Sequence, residues 1–382
     1  MKIIKSFEQN AIKSLSLKIY EDFLSINRNN KLKQQHTKYK KIQKPDITII
    51  MTIFNQAHCL NICLRSIQNQ SISKIEIIIV DDCSLDNSLE IIKKYQKEDP
   101  RIILIKHDSN EGAIKSRSDG IRKAKGKYIT IIDGDDAFIH KDILKNSLYI
   151  AKKANLDIVE FRAAMFKRGK LFRILNNYRS INFEYIIYQP ELRSKFFCLD
   201  EGCSEGMLNR VIWGKLIKAK IFKRMLGYVG SKYTEDFIIF AEDTIMSISL
   251  FQLANSYYLM KEIGYIYTLD QKKSKISLAK NSICKAVNKI KDFDFFKFLQ
   301  YLVEKTGKDE KEQIMIFKEI ISNNFPLYLN KIKMDIRQYQ IIVYIIDKAL
   351  EFEFLSKIQK DKLIYLKKGV NKKYSNCLNK II

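Results

Sequence analysis

The sequence predicts an α/β fold in which a mostly parallel β-sheet is flanked by helices. Between residues 45 and 140, short apolar runs with the length and β-branched content of buried strands alternate with segments of helical periodicity. The order β-α-β-α-β-α-β favours parallel strands joined by right-handed crossovers. The chain has 382 residues, 46% of them hydrophobic, and is therefore long enough to bury a large core.

Strand predictions rest on Ile-rich runs, each followed by a turn or by the start of a helix. The runs are residues 47–54, 75–80, 102–106 and 128–132. After the first run, four apolar side chains fall on one face of a helix and are expected to pack on the sheet. They are Leu60, Cys63, Leu64 and Ile67. The helix that begins with SLEIIKKY is expected to take Ser84 or Asp86 as its N-cap.

The net charge of +25 does not arise from a localised basic patch. Lysine is spread along the whole chain, and neither a basic run with interleaved aromatics nor zinc-finger spacing occurs. We therefore expect no nucleic-acid partner. A positive field would nevertheless favour phosphate-bearing substrates.

Cysteine usage and the N-terminal sequence favour a cytoplasmic location. The seven cysteines form no CxxC pair, so neither a disulfide framework nor structural zinc is expected. The first residues lack a signal-peptide apolar region, and no apolar stretch approaches ~18 residues, so no spanning helix is predicted. The amphipathic pattern of residues 1–44 is expected to pack on the protein itself, with contact to a membrane surface as the alternative.

Polar side chains follow three of the strand-like runs at the point where each run ends. Asn55 follows the first run, Asp81 and Asp82 end the second, and a DGDD segment ends the fourth. In that segment Asp133 and Asp135 are two positions apart and can reach one hard cation, for which carboxylate oxygens suit Mg²⁺ or Mn²⁺. Taken alone, the segment is better explained as an acidic turn that caps the following helix.

The order of these motifs resembles the family 2 glycosyltransferases of the GT-A fold. The family pattern places a Tyr-Asn pair after the first strand, followed by VDDGSTD, an N-x-G loop, a helix and GxYxxxLDxDD. The corresponding segments here are IFN (53–55), VDDCSLDNS (80–88), NEG (110–112), SRSDGI (116–121) and GKYITIIDGDD (126–136). The resemblance implies a Rossmann-like GT-A sheet, a nucleotide-sugar donor, most simply a UDP-sugar, and a divalent cation.

By this resemblance, a donor site can be assigned residue by residue. Asp82, with Asp81 beside it, matches the carboxylate that accepts a hydrogen bond from the nucleotide base. Arg117 matches the helix arginine that reaches the diphosphate or supports the neighbouring loop. The residues that would line the base pocket are Thr52, Phe54 and Asn55.

The same resemblance divides roles within the DGDD segment. Asp133 and Gly134 would lie near the donor ribose, and Asp135 together with Asp133 would hold the Mn²⁺ or Mg²⁺ ion. Asp136 would support these ligands from behind. For Asp81 and Asp136, capping of a helix N-terminus is an equally good explanation.

Two further motifs continue the resemblance beyond residue 141. Trp213 in VIWGKL matches a W-x-K-L segment on the acceptor side, where its ring could stack on a sugar, although a core position explains it at least as well. Glu242 and Asp243 in FAEDT match the acidic pair that supplies the catalytic base, with Asp243 as the base itself. Such a base serves an inverting displacement, in which an acceptor hydroxyl attacks the anomeric carbon.

The chain is expected to divide into an N-terminal helix and linker (1–44), a GT-A domain (45–279) and an α-helical C-terminal extension (280–382). Within the GT-A domain, residues 45–140 form the nucleotide-sugar half and residues 141–279 the acceptor half. The expected activity is metal-dependent inverting transfer of a sugar, as in hexosyltransferases, to a carbohydrate, lipid or protein acceptor. The alternative is an inactive relative that only binds a nucleotide or a partner, and the oligomeric state is left open.

Overall fold

The computed structural model describes residues 39–167, 170–175, 185–197, 211–230 and 242–269, together with the isolated positions 364 and 368. Within these ranges, ten strands form one mixed sheet with helices packed against it. The helices predicted in the N-terminal region and in the C-terminal extension lie outside the described residues, apart from the two isolated positions. Of the N-terminal region, residues 39–44 are described and are not helical.

The first half of the sheet alternates strands and helices in the predicted order. Its elements are β1 (Ile47–Ile53), α1 (Ala57–Gln68), β2 (Ile75–Asp81), α2 (Ser88–Glu98), β3 (Ile102–Lys106), α3 (Ala113–Lys123) and β4 (Tyr128–Asp133). The chain continues through β5 (Ala137–Phe138), α4 (Ile143–Lys153), β6 (Ile158–Lys167), β7 (Lys170–Leu175), β8 (Ile186–Tyr188), α5 (Glu191–Phe197), β9 (Lys215–Lys218), α6 (Ala219–Val229), α7 (Glu242–Leu253) and β10 (Ser256–Thr268).

The Ile-rich strands form the centre of the molecule because helices cover both faces of the sheet there. Every residue of β2 is buried, and in β1 only Thr52 is partly exposed. The predicted apolar face of α1 is buried against these strands. On α3, Gly120 permits close packing, since a Cβ at this position would lie 2.6 Å from Ile50 Cγ2.

Strand order along the sheet is β3-β2-β1-β4-β9-β6-β10-β5. The pairs β3–β2, β2–β1 and β1–β4 are parallel, as expected for the nucleotide-sugar half. The second half is mixed: β6 and β10 are parallel, whereas β9 is antiparallel to both β4 and β6. Strands β5 and β8 pair antiparallel with β10, and β7 pairs antiparallel with β6.

Helices of the two halves meet on one side of the sheet. Helix α6 packs on α3, which lies in the predicted nucleotide-sugar half, and also on α7, which lies in the predicted acceptor half. The first residues of α7 are thereby brought to α3. No helix in the described part of the chain has the length and apolarity needed to cross a bilayer.

Candidate active site

The candidate site lies at the carboxyl edge of the parallel strands, where β1 ends between β2 and β4. Backbone register sets Ile53 of β1 beside Asp81 of β2, and Thr52 beside Asp133 of β4. Parallel pairing causes this convergence, because the carboxyl ends of parallel strands meet at one edge of a sheet. Motifs about 80 residues apart in the sequence are therefore neighbours in the fold.

The loops that follow β1 and β2 are joined by hydrogen bonds between side chains and backbone. Asn55, which has a φ of 55°, donates its backbone N–H to Ser84 Oγ at 3.0 Å. Its Oδ1 accepts the backbone N–H of Leu85 at 2.7 Å. Asp86 Oδ2 accepts the N–H of Ala57 in the first turn of α1 at 3.0 Å. Asn55 is thus held in place by the loop that follows β2.

The predicted N-cap of α2 is wrong. Asn87 is the N-cap residue, and it makes no side-chain cap hydrogen bond. Asp86 does accept the N–H of Ser88 at 3.0 Å, but its other oxygen accepts the N–H of Ala57 at the start of α1, and Ser84 Oγ accepts the N–H of Asn55 in the loop before α1. The sequence pattern along one helix cannot reveal that a candidate cap residue bonds to the backbone of a neighbouring helix instead.

Gly134 packs closely against the end of β1. A Cβ at this position would lie 2.2 Å from Ile53 Cδ1 and 2.3 Å from Gln56 Oε1, so a larger residue would collide with the end of β1. Thr52 and Phe54 on the adjacent strand end are partly exposed. These two side chains can therefore contact a ligand at the strand edge.

The carboxylate of Asp82 holds the loop that leads into α3. Its Oδ1 accepts the N–H of Glu111 at 2.8 Å and lies 2.8 Å from His107 Nδ1, while Oδ2 accepts the N–H of Gly112 at 2.9 Å. A carboxylate offers about four lone-pair sites, so these contacts leave about one acceptor position, on Oδ2. The side chain is 7% exposed, which leaves little room for a second new partner.

Asp81 is fully buried at the end of β2. Neither of its carboxylate oxygens has a hydrogen-bond partner among the described residues. The alternative role in capping a helix would require a backbone N–H at one of these oxygens, and none is present. Since an unpartnered buried carboxylate costs free energy, Asp81 stands out as an acidic group without a counterpart.

Three carboxylates of the DGDD segment lie together. Single oxygens of Asp133, Asp135 and Asp136 are all within 4.8 Å of one another. Asp133 and Asp135 are partly exposed, whereas Asp136 is 2% exposed. The two partly exposed carboxylates are therefore the ones that a ligand from solvent can reach.

Asp136 anchors the end of β10 and does not cap a helix. Its oxygens accept a hydrogen bond from the Tyr265 hydroxyl at 2.7 Å and from the N–H of Thr268 at 2.9 Å. Burial, together with the charges of Asp135 and Asp133, raises the pKa of Asp136 well above its usual range. Tyr265 also accepts the N–H of Asp133 at 3.3 Å, so one hydroxyl contacts both residues. The role predicted for Asp136 in supporting metal ligands stays a prediction.

Arg117 joins the strand edge to the second half of the fold. Its Nη2 donates to Asp133 Oδ1 at 3.2 Å, and its Nη1 donates to Asp243 Oδ1. Burial alone would lower the pKa of Arg117, but the carboxylates of Asp243, Asp133 and Glu242 raise it above its ordinary value. The guanidinium is therefore always charged. Because it contacts both Asp133 and Asp243, the DGDD segment and the predicted base lie on either side of it.

Glu242 and Asp243 open α7 with their carboxylates at this point. Burial and the charge of Asp243 raise the pKa of Glu242 to about 7. Burial also raises the pKa of Asp243, and the nearby Arg117 opposes that shift. The Asp243 side chain is 28% exposed, so a molecule from solvent can reach it. A carboxylate with a raised pKa is better matched to proton transfer near neutral pH.

Trp213 is a core residue. It is 3% exposed, and its ring is stacked on Tyr265 at 4.7 Å and on Tyr267 at 5.3 Å between centroids. The predicted contact between this ring and an acceptor sugar is not supported, because the ring is covered by other aromatic side chains. Its place in the site is indirect, through the Tyr265 that contacts Asp133 and Asp136.

Sequence reasoning missed a buried ion pair close to the base. Lys215 Nζ lies 3.2 Å from Glu160 Oε2 and donates to the Val211 carbonyl at 2.8 Å, and both charged side chains are almost fully buried. Tyr257 donates its hydroxyl to the same Glu160 oxygen at 3.1 Å. The charge of Lys215 lowers the pKa of Asp243, against the effect of burial. The one feature of the sequence that could have indicated this ion pair is the lysine of the W-x-K-L segment, which is Lys215.

Comparison with known proteins agrees with this geometry. The family model described as Glycosyl transferase family 2 matches residues 48–204. Residues 48–204 form a family 2 glycosyltransferase domain. The domain holds every strand-end carboxylate described above and Arg117, whereas Trp213, Glu242 and Asp243 lie beyond the matched range.

Relatives of the family 2 domain include uncharacterized bacterial glycosyltransferases. EpsJ of Bacillus subtilis is 30% identical over 223 residues, which are 58% of this chain and 61% of EpsJ. GlyA of Streptococcus pneumoniae is 29% identical over 216 residues, which are 56% of this chain and 30% of GlyA. An uncharacterized glycosyltransferase of Haemophilus influenzae is 42% identical over 104 residues, 27% of this chain and 41% of that protein. The chain thus spans less than two thirds of these relatives.

Solved structures of S. aureus TarS share the fold. TarS 1–349 in complex with UDP-GlcNAc matches with a TM-score of 0.53 and 16% identity, covering 79% of this chain and 81% of that one. The complex with UDP matches with a TM-score of 0.55 and 17% identity, covering 86% and 89%. These similarities extend past residue 204 and establish the predicted GT-A fold.

Proposed function

We propose that this chain transfers a sugar from a nucleotide-sugar, a UDP-sugar by preference, to an acceptor hydroxyl with inversion at the anomeric carbon. The family 2 domain supports glycosyl transfer. TarS, which shares the fold, was solved with UDP-GlcNAc and with UDP, and this supports a uridine donor. The hexosyltransferase subclass rests on the sequence resemblance.

One observation carries the proposal, namely that Arg117 contacts both Asp133 and Asp243. Asp133 ends β4 on the donor side, and Asp243 opens α7 on the acceptor side. An inverting displacement requires the departing diphosphate and the base to flank one anomeric carbon. The guanidinium of Arg117 lies between one carboxylate of the proposed donor side and one of the proposed acceptor side, and this position suits such a displacement.

Asp133 and Asp135 fit a divalent cation. Their carboxylates are partly exposed and close together, and oxygen ligands of this kind suit Mg²⁺ or Mn²⁺. Such an ion would supply positive charge that stabilises the departing diphosphate. Arg117 adds a permanent positive charge beside Asp133, and its planar fork is suited to phosphate oxygens.

Asp243 is proposed as the base that takes the proton of the acceptor hydroxyl. Its side chain is partly exposed, burial raises its pKa above the ordinary value, and Arg117 holds its orientation. Glu242 next to it would orient the acceptor or the helix. On the donor side, Asp82 has about one free acceptor position, which suits the single imide N–H of uracil.

A thermal-shift screen of nucleotide-sugars with and without Mn²⁺ tests the donor assignment. We expect a UDP-sugar to raise the melting temperature more in the presence of Mn²⁺ than in its absence, since ligands stabilise the state they bind. No shift with any nucleotide or nucleotide-sugar would contradict the proposed function.

Replacement of the base tests the chemical step. Asp243→Asn should bind the donor with near wild-type affinity while its turnover, followed as release of UDP, falls by roughly 10²-fold or more. Retained turnover would remove Asp243 from the role of base. If the wild-type chain binds UDP-sugars but releases no UDP with any acceptor, the alternative of an inactive nucleotide-binding relative is favoured.

A further inference from the structure

His107 lies between two carboxylates at the edge of the donor half. It follows β3 directly, and its ring is 10% exposed. Nδ1 is 2.8 Å from Asp82 Oδ1, and Nε2 is 3.2 Å from Asp119 Oδ2. Both ring nitrogens therefore face acidic oxygens on different elements, Asp82 after β2 and Asp119 on α3.

Each ring nitrogen of a histidine can form a hydrogen bond with a neighbouring polar group. The two carboxylates that face His107 differ in their other partners. Asp119 also accepts from Lys115 Nζ at 3.0 Å and from Arg122 Nη1 at 2.9 Å, so its charge is already well compensated. Among the described residues, His107 is the one basic side chain paired with Asp82. The position of the Asp82 carboxylate therefore depends on His107 more than that of Asp119 does.

The contact with His107 determines which way the Asp82 carboxylate faces. With Nδ1 and the N–H of Glu111 on Oδ1, and the N–H of Gly112 on Oδ2, the carboxylate is held at three points. Loss of the His107 contact would leave the two backbone bonds and free one position on Oδ1. The plane of the carboxylate, and with it the open position on Oδ2, would then be less well defined.

The other contact reaches α3. Asp119 is two residues after Arg117 on this helix, and Ser116, Arg117 and Ser118 are buried against the sheet. His107 therefore links the end of β2 to the helix that carries the arginine of the site. The imidazole is a bridge between the proposed base-binding carboxylate and the element that positions Arg117.

We propose that His107 is a positioning residue for the nucleotide donor, acting through Asp82 and secured by Asp119. The proposal rests on the proposed function, because it requires Asp82 to contact the donor base. His107 does not itself touch the donor. It keeps one carboxylate oxygen of Asp82 occupied, so that the other is presented to a single N–H donor.

Two amide substitutions of His107 test its contacts with Asp82 and with Asp119 separately. In His107→Asn the amide nitrogen can occupy roughly the place of Nδ1 and keep the contact with Asp82. In His107→Gln it lies closer to the place of Nε2 and keeps the contact with Asp119. We expect UDP affinity, measured by calorimetry with Mn²⁺, to stay within about threefold of wild type in His107→Asn and to fall by about tenfold or more in His107→Gln.

Rescue by His107→Asn distinguishes positioning from a purely structural role. Each amide loses one of the two contacts, so a general loss of stability would affect both variants alike, whereas only His107→Gln loses the contact with Asp82. His58→Gln, which changes an exposed histidine on α1, is the matched control and should behave as wild type.

The UDP affinities of the three proteins decide the proposal. Equal UDP affinity in wild type, His107→Asn and His107→Gln would overturn the positioning role while leaving the proposed donor site intact. Loss of affinity in His107→Gln with recovery in His107→Asn supports it. Failure of the wild-type chain to bind UDP at all would overturn the donor site, and the role of His107 with it.

Discussion

At the scale of single residues, Cys83 departs from the pattern of its family. It occupies the position of Gly in VDDGSTD and has a φ of 63°, in the left-handed region. This backbone conformation costs an L-residue roughly 1–2 kcal/mol, whereas glycine adopts it freely. The loop that follows β2 therefore carries backbone strain that a glycine at this position would avoid.

Replacing Cys83 with glycine should stabilise the protein. Part of the gain is offset because glycine has more freedom in the unfolded chain, so we expect Cys83→Gly to raise the free energy of unfolding by about 0.5–1 kcal/mol, measured by denaturant titration. Asn55→Gly is the matched control: Asn55 also has a positive φ, but it would lose the hydrogen bond from Leu85. A larger gain for Asn55→Gly than for Cys83→Gly would contradict this explanation.

The raised pKa of Glu242 predicts how stability depends on pH. Burial and Asp243 raise this pKa from an ordinary 4.5 to about 7. Between these values the folded chain keeps a proton that the unfolded chain has released, so the contribution of Glu242 to stability falls as pH rises through this window. Glu242→Gln, whose side chain carries no charge, should remove the part of the decrease in the free energy of unfolding that is due to Glu242.

Denaturant unfolding of wild type and Glu242→Gln at several pH values between about 4.5 and 7 measures the effect. The expected result is a steeper decline in the free energy of unfolding for wild type than for the variant. Parallel declines in the two proteins would show that Glu242 titrates normally.

At the scale of elements, the space around Gly126 and Gly227 shows how tightly β4 and α6 are packed. Gly126 precedes β4, and a Cβ there would lie 2.4 Å from the backbone nitrogen of Thr48. Its N–H is also bonded to Thr48 Oγ1 at 2.9 Å and to Glu76 Oε1 at 3.1 Å. Gly227 in α6 has nothing within 4 Å of such a Cβ. The same substitution should therefore have opposite effects at the two positions.

Gly227→Ala should raise the free energy of unfolding by about 0.5–1 kcal/mol, since alanine favours a helix over glycine. Gly126→Ala should lower it by roughly 1–3 kcal/mol, because β4 must shift away from β1. Thermal or denaturant unfolding of both variants measures the pair. Equal effects of the same sign would contradict the packing described for β4.

Sequence patterns predicted the elements better than the contacts between them. Ile-rich runs and alternating helices were sufficient to predict β1 to β4 and the acidic edge, because parallel pairing follows from their order. The bonds of Asp136 with Tyr265 and of Arg117 with Asp243 join residues 129 and 126 positions apart, which local periodicity cannot reveal. The same holds for Trp213, whose burial depends on tyrosines of β10.

At the scale of the whole molecule, the site joins the two halves predicted for the GT-A domain. Carboxylates of the parallel half and the acidic pair of α7 meet at Arg117, because α6 packs on both α3 and α7. The division into residues 1–44, 45–279 and 280–382 stays a prediction. The proposed activity depends on this meeting point, because the DGDD carboxylates and Asp243, the proposed base, lie in different halves.

The affinity of UDP with and without Mn²⁺, measured by calorimetry for wild type and Asp135→Asn, tests the central assignment most directly. Asp108→Asn, a change of an exposed carboxylate on the loop after β3, is the matched control. We predict that Mn²⁺ tightens UDP binding in wild type and in Asp108→Asn, and that Asp135→Asn loses this gain while keeping its metal-free affinity. Unchanged Mn²⁺-dependent affinity in Asp135→Asn would contradict the proposed metal-assisted donor site.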